Sequence, residues 1–182
     1  MNKSFTYKIT LCAVLTAFAL ITFVLEGLFP PLFLPGARMG LSNIFILLTA
    51  IILGGKYAFC TLVIKTVIGS LFAGNISAVI YSLPSGAVAL ILELLLLKLS
   101  SKVSVVATSV FGAVINATGQ NLTFCLVTGA SEYLLYLPYL ALISVLSGVI
   151  VGFTVYLAVN KLPIFSKRED IEQIENTEIS VE

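Results

Sequence analysis

Four polar side chains stand inside long apolar runs. They are Asn43 in SNIFILLTAI, Lys65 in LVIKTVIGS, and Asn116 with Gln120 in GAVINATGQNL. An ammonium supplies donors and a positive charge, and carboxamides supply donors and acceptors together. Asn116 and Gln120 are spaced i, i+4 and share one face of a helix. Such groups bind a polar or negatively charged molecule; they do not by themselves cleave or form bonds.

The groups that catalysis would require are missing from the sequence. There is no histidine, which removes Ser-His-Asp and Cys-His arrangements and the commonest ligand for zinc and haem. Asp170 stands alone, so clustered aspartates that would hold magnesium around a diphosphate cannot be assembled. Gly55-Lys56 runs into Tyr57 without the glycine-rich lead of a P-loop. Cys12, Cys60 and Cys125 are far apart, without CxxC or metal spacing, and read as buried free thiols. Asn121-Leu122-Thr123 matches a glycosylation sequon but lies in an apolar helix, where it reads as chance. The expectation is a non-enzyme with no cofactor, no metal site and no nucleic-acid partner.

The elements that must position these side chains follow from composition. The 182 residues are 59% hydrophobic and only 10% charged, with a mean hydropathy of +1.10. Soluble domains carry about 25% charged residues. A bilayer core of ~30 Å takes roughly 20 helical residues per crossing, and within lipid a helix satisfies its own backbone. The pattern predicts an all-α integral membrane bundle of six transmembrane helices over 8–28, 39–54, 57–73, 76–98, 103–128 and 133–160. The first segment is too long for the apolar core of a signal peptide. Residues 1–160 thus form the membrane domain. Residues 161–182 carry three basic and six acidic residues and read as a disordered, solvated tail.

Eight of the ten basic residues fall on the side shared by both termini: Lys3, Lys8, Lys56, Lys98, Lys102, Lys161, Lys167 and Arg168. The positive-inside rule puts that side in the cytoplasm. The connection PPLFLPGARMGLSN (30–43) is then external, and three prolines, two glycines and Arg38 are more than a plain turn needs.

Depth follows from a rise of ~1.5 Å per residue: Lys65 and Gln120 lie ~12 Å below the external helix ends, Asn116 ~18 Å and Asn43 ~6 Å. Glu26 sits near the outer surface and Glu93 near the cytoplasmic end, so neither matches Lys65 in depth. Each residue has a plainer reading. Lys65 can snorkel outward, the two amides can bond between helices, Glu26 can be a wet helix end, and Arg38 can cap its loop. Convergence at one level favours a shared pocket instead, lined by Arg38, Asn43, Lys65, Asn116 and Gln120, for a small anionic or strongly polar solute. Small residues add a second signal. Ala13 and Ala17 form one row, and Ser144, Gly148 and Gly152 another, each suited to close helix approach. Internal packing is the simpler reading for either row alone.

PPLFLPGARMGLSN resembles the signature of the Gx transporter family of bacterial membrane proteins, often labelled heptaprenyl diphosphate synthase component I. That signature has a proline pair, then Pro-Gly, a basic residue and Leu-Gly-Leu-Ala-Asn. Arg38 fills the basic position, Met39 replaces leucine and Ser42 replaces alanine. Asn116-Ala117-Thr118-Gly119-Gln120 keeps the Gly-Gln of a His-Asn-x-Gly-Gln pattern and loses its histidine and asparagine. Lys65 stands where arginine is usual.

The resemblance implies an S-component-like fold in the bacterial cytoplasmic membrane, binding a solute from outside. It implies that Pro30, Pro31, Pro35 and Gly36 belong to a lid, stiffened by fixed φ at the prolines. It further implies that Ala13 and Ala17 face a transmembrane coupling subunit, which works with ATPases. Some relatives are associated with quinone biosynthesis and flavin-based extracellular electron transfer, so an accessory membrane subunit of such an assembly is the alternative. Nothing in the chain ligates a redox centre.

Overall fold

The computed structural model describes residues 3–28, 40–99 and 103–161. Six α-helices follow one another: α1 (Lys3–Leu28), α2 (Asn43–Ile52), α3 (Gly55–Phe72), α4 (Ala78–Leu99), α5 (Val105–Thr128) and α6 (Leu137–Lys161), with a 3-10 helix at Ser131–Tyr136 before α6. The described residues contain no strand. This is the all-α membrane bundle that the composition predicts. The expected lid residues Pro30, Pro31, Pro35 and Gly36, together with Arg38 and the tail beyond Lys161, lie outside the described residues.

Side-chain contacts fix the directions of the helices. Thr16 meets Thr61 and Phe23 meets Gly69, so the pairing advances along both chains and α1 runs parallel to α3. Gly55 lies against Leu94 and Gly86 against Leu62, so α3 and α4 are antiparallel. Gly148 lies against Val110 and Gly152 against Val106, and α5 and α6 are antiparallel as well. The start of α1 and the end of α6 therefore share one end of the bundle, called here the terminal end.

Five of the helices are long and apolar enough to cross a membrane; α2, with ten residues, is not. Its length of ~15 Å is half a bilayer core. The expected crossing at 39–54 shortens at both ends for local reasons. Gly40 takes φ 76°, a left-handed conformation open to glycine, and turns the chain before Asn43. At the other end Gly54, with φ 94°, reverses it directly into α3. Asn43 is thereby level with Lys65, the eleventh residue of α3, and α3 continues ~10 Å beyond the start of α2. A short helix beside a long one leaves a hollow above its first turn.

Below that hollow the core is apolar and tight. Ile46 and Ala50 of α2 pack with Ala58 and Leu62 of α3 and Leu90 of α4. Leu47 and Leu48 pack with Leu15 of α1 and Val155 of α6. The α5–α6 seam is equally close: a Cβ built on Gly148 would lie 2.6 Å from Val110 Cα, and one on Gly152 2.6 Å from Val106 Cα. The row Ser144, Gly148, Gly152 thus contains two glycines that serve packing within the bundle. Around the outside, Leu142, Leu146, Ile150 and Phe153 of α6 and Ile21 and Leu25 of α1 are exposed, as a lipid-facing surface requires.

Candidate solute pocket above the short helix

Lys65 is only 5% exposed. Its Nζ donates to Asn43 Oδ1 at 2.8 Å and to Ser42 Oγ at 3.0 Å, and lies 5.5 Å from the centre of the Phe23 ring. The side chain turns into the bundle, towards the first turn of α2, rather than along its own helix to the interface. The ring face adds a favourable cation–π contact.

Glu26, in the last turn of α1, also bends inward. Its Oε1 accepts from the backbone N–H of Ser42 at 2.9 Å and its Oε2 from that of Gly40 at 3.3 Å. These N–H groups precede α2, where an oriented helix end favours negative charge. Ser42 thus links the two charges: its N–H faces Glu26 and its Oγ faces Lys65. The expectation that no acid matches Lys65 in depth, and that Glu26 is a wet helix end, fails for one reason. The start of α2 lies deep, and Glu26 reaches down to it.

The opposite wall comes from α4 and α5. Asn116 Oδ1 accepts from Gln120 Nε2 at 3.2 Å. Ser85 Oγ lies 3.1 Å from the same oxygen and 2.7 Å from Tyr81 O. One hydroxyl proton serves both, and the shorter contact is to its own helix. Gly119 lets α5 approach this seam, since a Cβ there would lie 2.9 Å from Ser85 Cβ. Two turns deeper, Glu93 of α4 packs its carboxyl against Gly112 of α5; a Cβ on Gly112 would lie 2.7 Å from Glu93 Cγ.

Between these walls is a cavity of about 30 Å³, room for roughly two waters. Asn43, Lys65, Asn116 and Gln120 all line it. Sequence reasoning thus gathered four side chains, from α2, α3 and α5, that the fold does bring together. It missed Glu26, Ser42, Phe23, Thr66, Ser82 and Gly86, which line the same space. Ser42 had a signal, standing beside Asn43 near the start of the expected helix 39–54. Glu26 had one as well, a carboxylate near a helix end, and was set aside on depth; Phe23, Thr66, Ser82 and Gly86 are ordinary residues of apolar helices and carry none. Asn121, of the sequon, is buried and its Nδ2 donates to Tyr133 O at 3.2 Å, tying α5 to the 3-10 helix.

Ala13 and Ala17 lie exposed on α1, away from the cavity. Cys12, by contrast, points inward, its Sγ 3.7 Å from Thr61 Oγ1. Of the three cysteines only Cys125 is buried; Cys12 is half-buried and Cys60 is exposed on α3, which corrects the expectation of three buried thiols.

No curated protein and no solved structure matches the chain. The sequence model of one family, described as heptaprenyl diphosphate synthase component I, matches residues 15–157. That span runs from the middle of α1 to near the end of α6 and includes every residue of the cavity. The protein is a member of this family, the Gx transporter-like membrane proteins.

Proposed function

We propose that the protein is a membrane-embedded, non-catalytic solute-binding subunit, similar to the S components of energy-coupling-factor transporters, that takes a small polar solute from outside the cell. The observation that carries this reading is the placement of Lys65, Asn43, Asn116 and Gln120 around one cavity above a helix too short to span the bilayer. Intramembrane ionisable groups such as Lys65 are costly and characteristically mark substrate or ion paths. An ammonium, carboxamides and hydroxyls hold a ligand by hydrogen bonds, which suits binding and release. The synthase label of the family finds no support in these groups.

In this reading the terminal end is cytoplasmic, since Lys8, Lys56, Lys98 and Lys161 all lie there. The cavity, towards the other end of α3, then lies on the side that faces outside. A cysteine placed at Ser131 is then labelled by an impermeant reagent added outside, and one placed at Lys56 is not; the reverse pattern overturns the orientation. The pocket itself is tested by native mass spectrometry of protein released from nanodiscs. The expected result is a retained small molecule that Lys65→Met and Gln120→Leu both lose. A retained molecule indifferent to both changes, or none at all, overturns the reading.

A further inference from the structure

We propose that Glu26 is a charge filter: a built-in carboxylate that fills the anion place of the cavity and restricts it to uncharged solutes bearing amide, urea or hydroxyl groups. The inference rests on the pocket reading above and names its ligand class.

Two features of the cavity would ordinarily capture a carboxylate or phosphate. One is the ammonium of Lys65; the other is the N–H array at the start of α2. Glu26 already takes the second and is joined to the first through Ser42, whose N–H donates to Oε1 at 2.9 Å while its Oγ accepts from Lys65 at 3.0 Å. The second oxygen is also engaged, by Gly40 N–H at 3.3 Å. Both oxygens acting as acceptors is the pattern of an ionised carboxyl, which has no proton to donate.

Among the described residues that line the cavity, the charged ones are Lys65 and Glu26, one of each sign. An anionic solute reaching Lys65 would sit beside Glu26. Like charges a few ångströms apart repel strongly where water is scarce. What remains for a ligand is the α3–α4–α5 side, with Thr66, Ser82, Asn116 and Gln120. All four are neutral and offer donors and acceptors together. An uncharged molecule with both kinds of group pairs with them and brings no charge that the bilayer would penalise.

The test uses acetate as an anionic probe and acetamide as its neutral counterpart, by calorimetry on the full chain in nanodiscs. Glu26→Gln keeps the shape and removes the charge. It is expected to bind acetate at least about tenfold more tightly than the native protein, the scale of one charge-assisted hydrogen bond. Adding Lys65→Met to Glu26→Gln should abolish that gain. If Glu26→Gln does not stay monodisperse without acetate, its recovery by acetate and not by acetamide is the same result, and no recovery counts against the filter. Native protein that binds acetate through Lys65 as tightly as Glu26→Gln overturns the filter and leaves the pocket standing. Acetate binding by neither protein also overturns it. Failure of the pocket reading is separate, read from the absence of a retained solute whatever acetate does.

Discussion

Lys65 on α3 and Asn43 on α2 meet at the level where α2 begins, Nζ to Oδ1 at 2.8 Å. Ten residues of each helix separate this contact from the Gly54 reversal, so the hairpin sets their registry. The same contact closes the floor of the cavity. A snorkelling lysine and a lysine turned into the bundle predict different responses to charge removal, and the Nζ of Lys65 turns inward.

Lys65→Met should lower the stability of the solute-free protein, by about 1–3 kcal/mol. It leaves Asn43 Oδ1 and Ser42 Oγ without their donor, and Glu26 as the one charge among the described residues that line the cavity. Leaving a charge and two acceptors uncompensated in a buried place is destabilising for that reason. Adding Glu26→Gln should restore part of the loss. Thermal unfolding of the two variants in nanodiscs checks this; a more stable Lys65→Met protein would show that the ammonium is a burden rather than a strut.

Gly112→Ala should destabilise the bundle by about 1–3 kcal/mol, the usual range for overpacking. Its new methyl would occupy the place of the Glu93 carboxyl, which α5 accommodates through the missing side chain. Glu93→Ala removes the clashing group. The pair should therefore be strongly non-additive, with Gly112→Ala nearly silent in the Glu93→Ala background. Additive effects on the unfolding temperature would mean that the two helices separate instead.

The outer face of α1 carries Ala13 and Ala17 among larger exposed residues such as Val14, Phe18 and Ile21. Small side chains on a lipid-facing surface let another helix approach its backbone. If a transmembrane coupling subunit docks there, Ala17→Trp blocks it and leaves the cavity, on the other side of α1, untouched. The expected result is loss of co-purified subunit with the retained small molecule unchanged. Undiminished co-purification removes this face from the interface.

The two small-residue rows illustrate what a single sequence makes legible. Ala13/Ala17 and Gly148/Gly152 look alike on paper, yet the glycines are closed against Val106 and Val110 while the alanines stay open. Which face of a helix meets another depends on partners distant in sequence. The fold itself was readable because hydropathy and short polar breaks are local. The length of α2 was not, since an apolar run can carry a glycine within a helix, and only the φ of 76° at Gly40 shows the chain turning there. That one difference explains the misplacement of Asn43, expected ~6 Å below the external helix ends and found level with Lys65, and the dismissal of Glu26. Convergence of Lys65, Asn116 and Gln120 was readable because depth along a helix is simple arithmetic.

Gln120→Leu separates binding from architecture most cleanly. Interhelical hydrogen bonding was the plain alternative for both amides of α5. Gln120 Nε2, however, bonds to Asn116 on its own helix, at 3.2 Å. A pair of this kind stabilises a helix by only about 0.2–0.5 kcal/mol. Removing the amide should therefore barely change unfolding of the solute-free protein. Gln120 lines the cavity, so a bound solute should lose a hydrogen bond and weaken roughly tenfold. Asn116→Leu provides the contrast, because its Oδ1 stands within reach of both Gln120 and Ser85. That variant should lose stability as well as solute. Measured together by thermal unfolding and native mass spectrometry, equal destabilisation by the two changes with the solute retained would make Gln120 a structural amide and strip the cavity of its α5 wall.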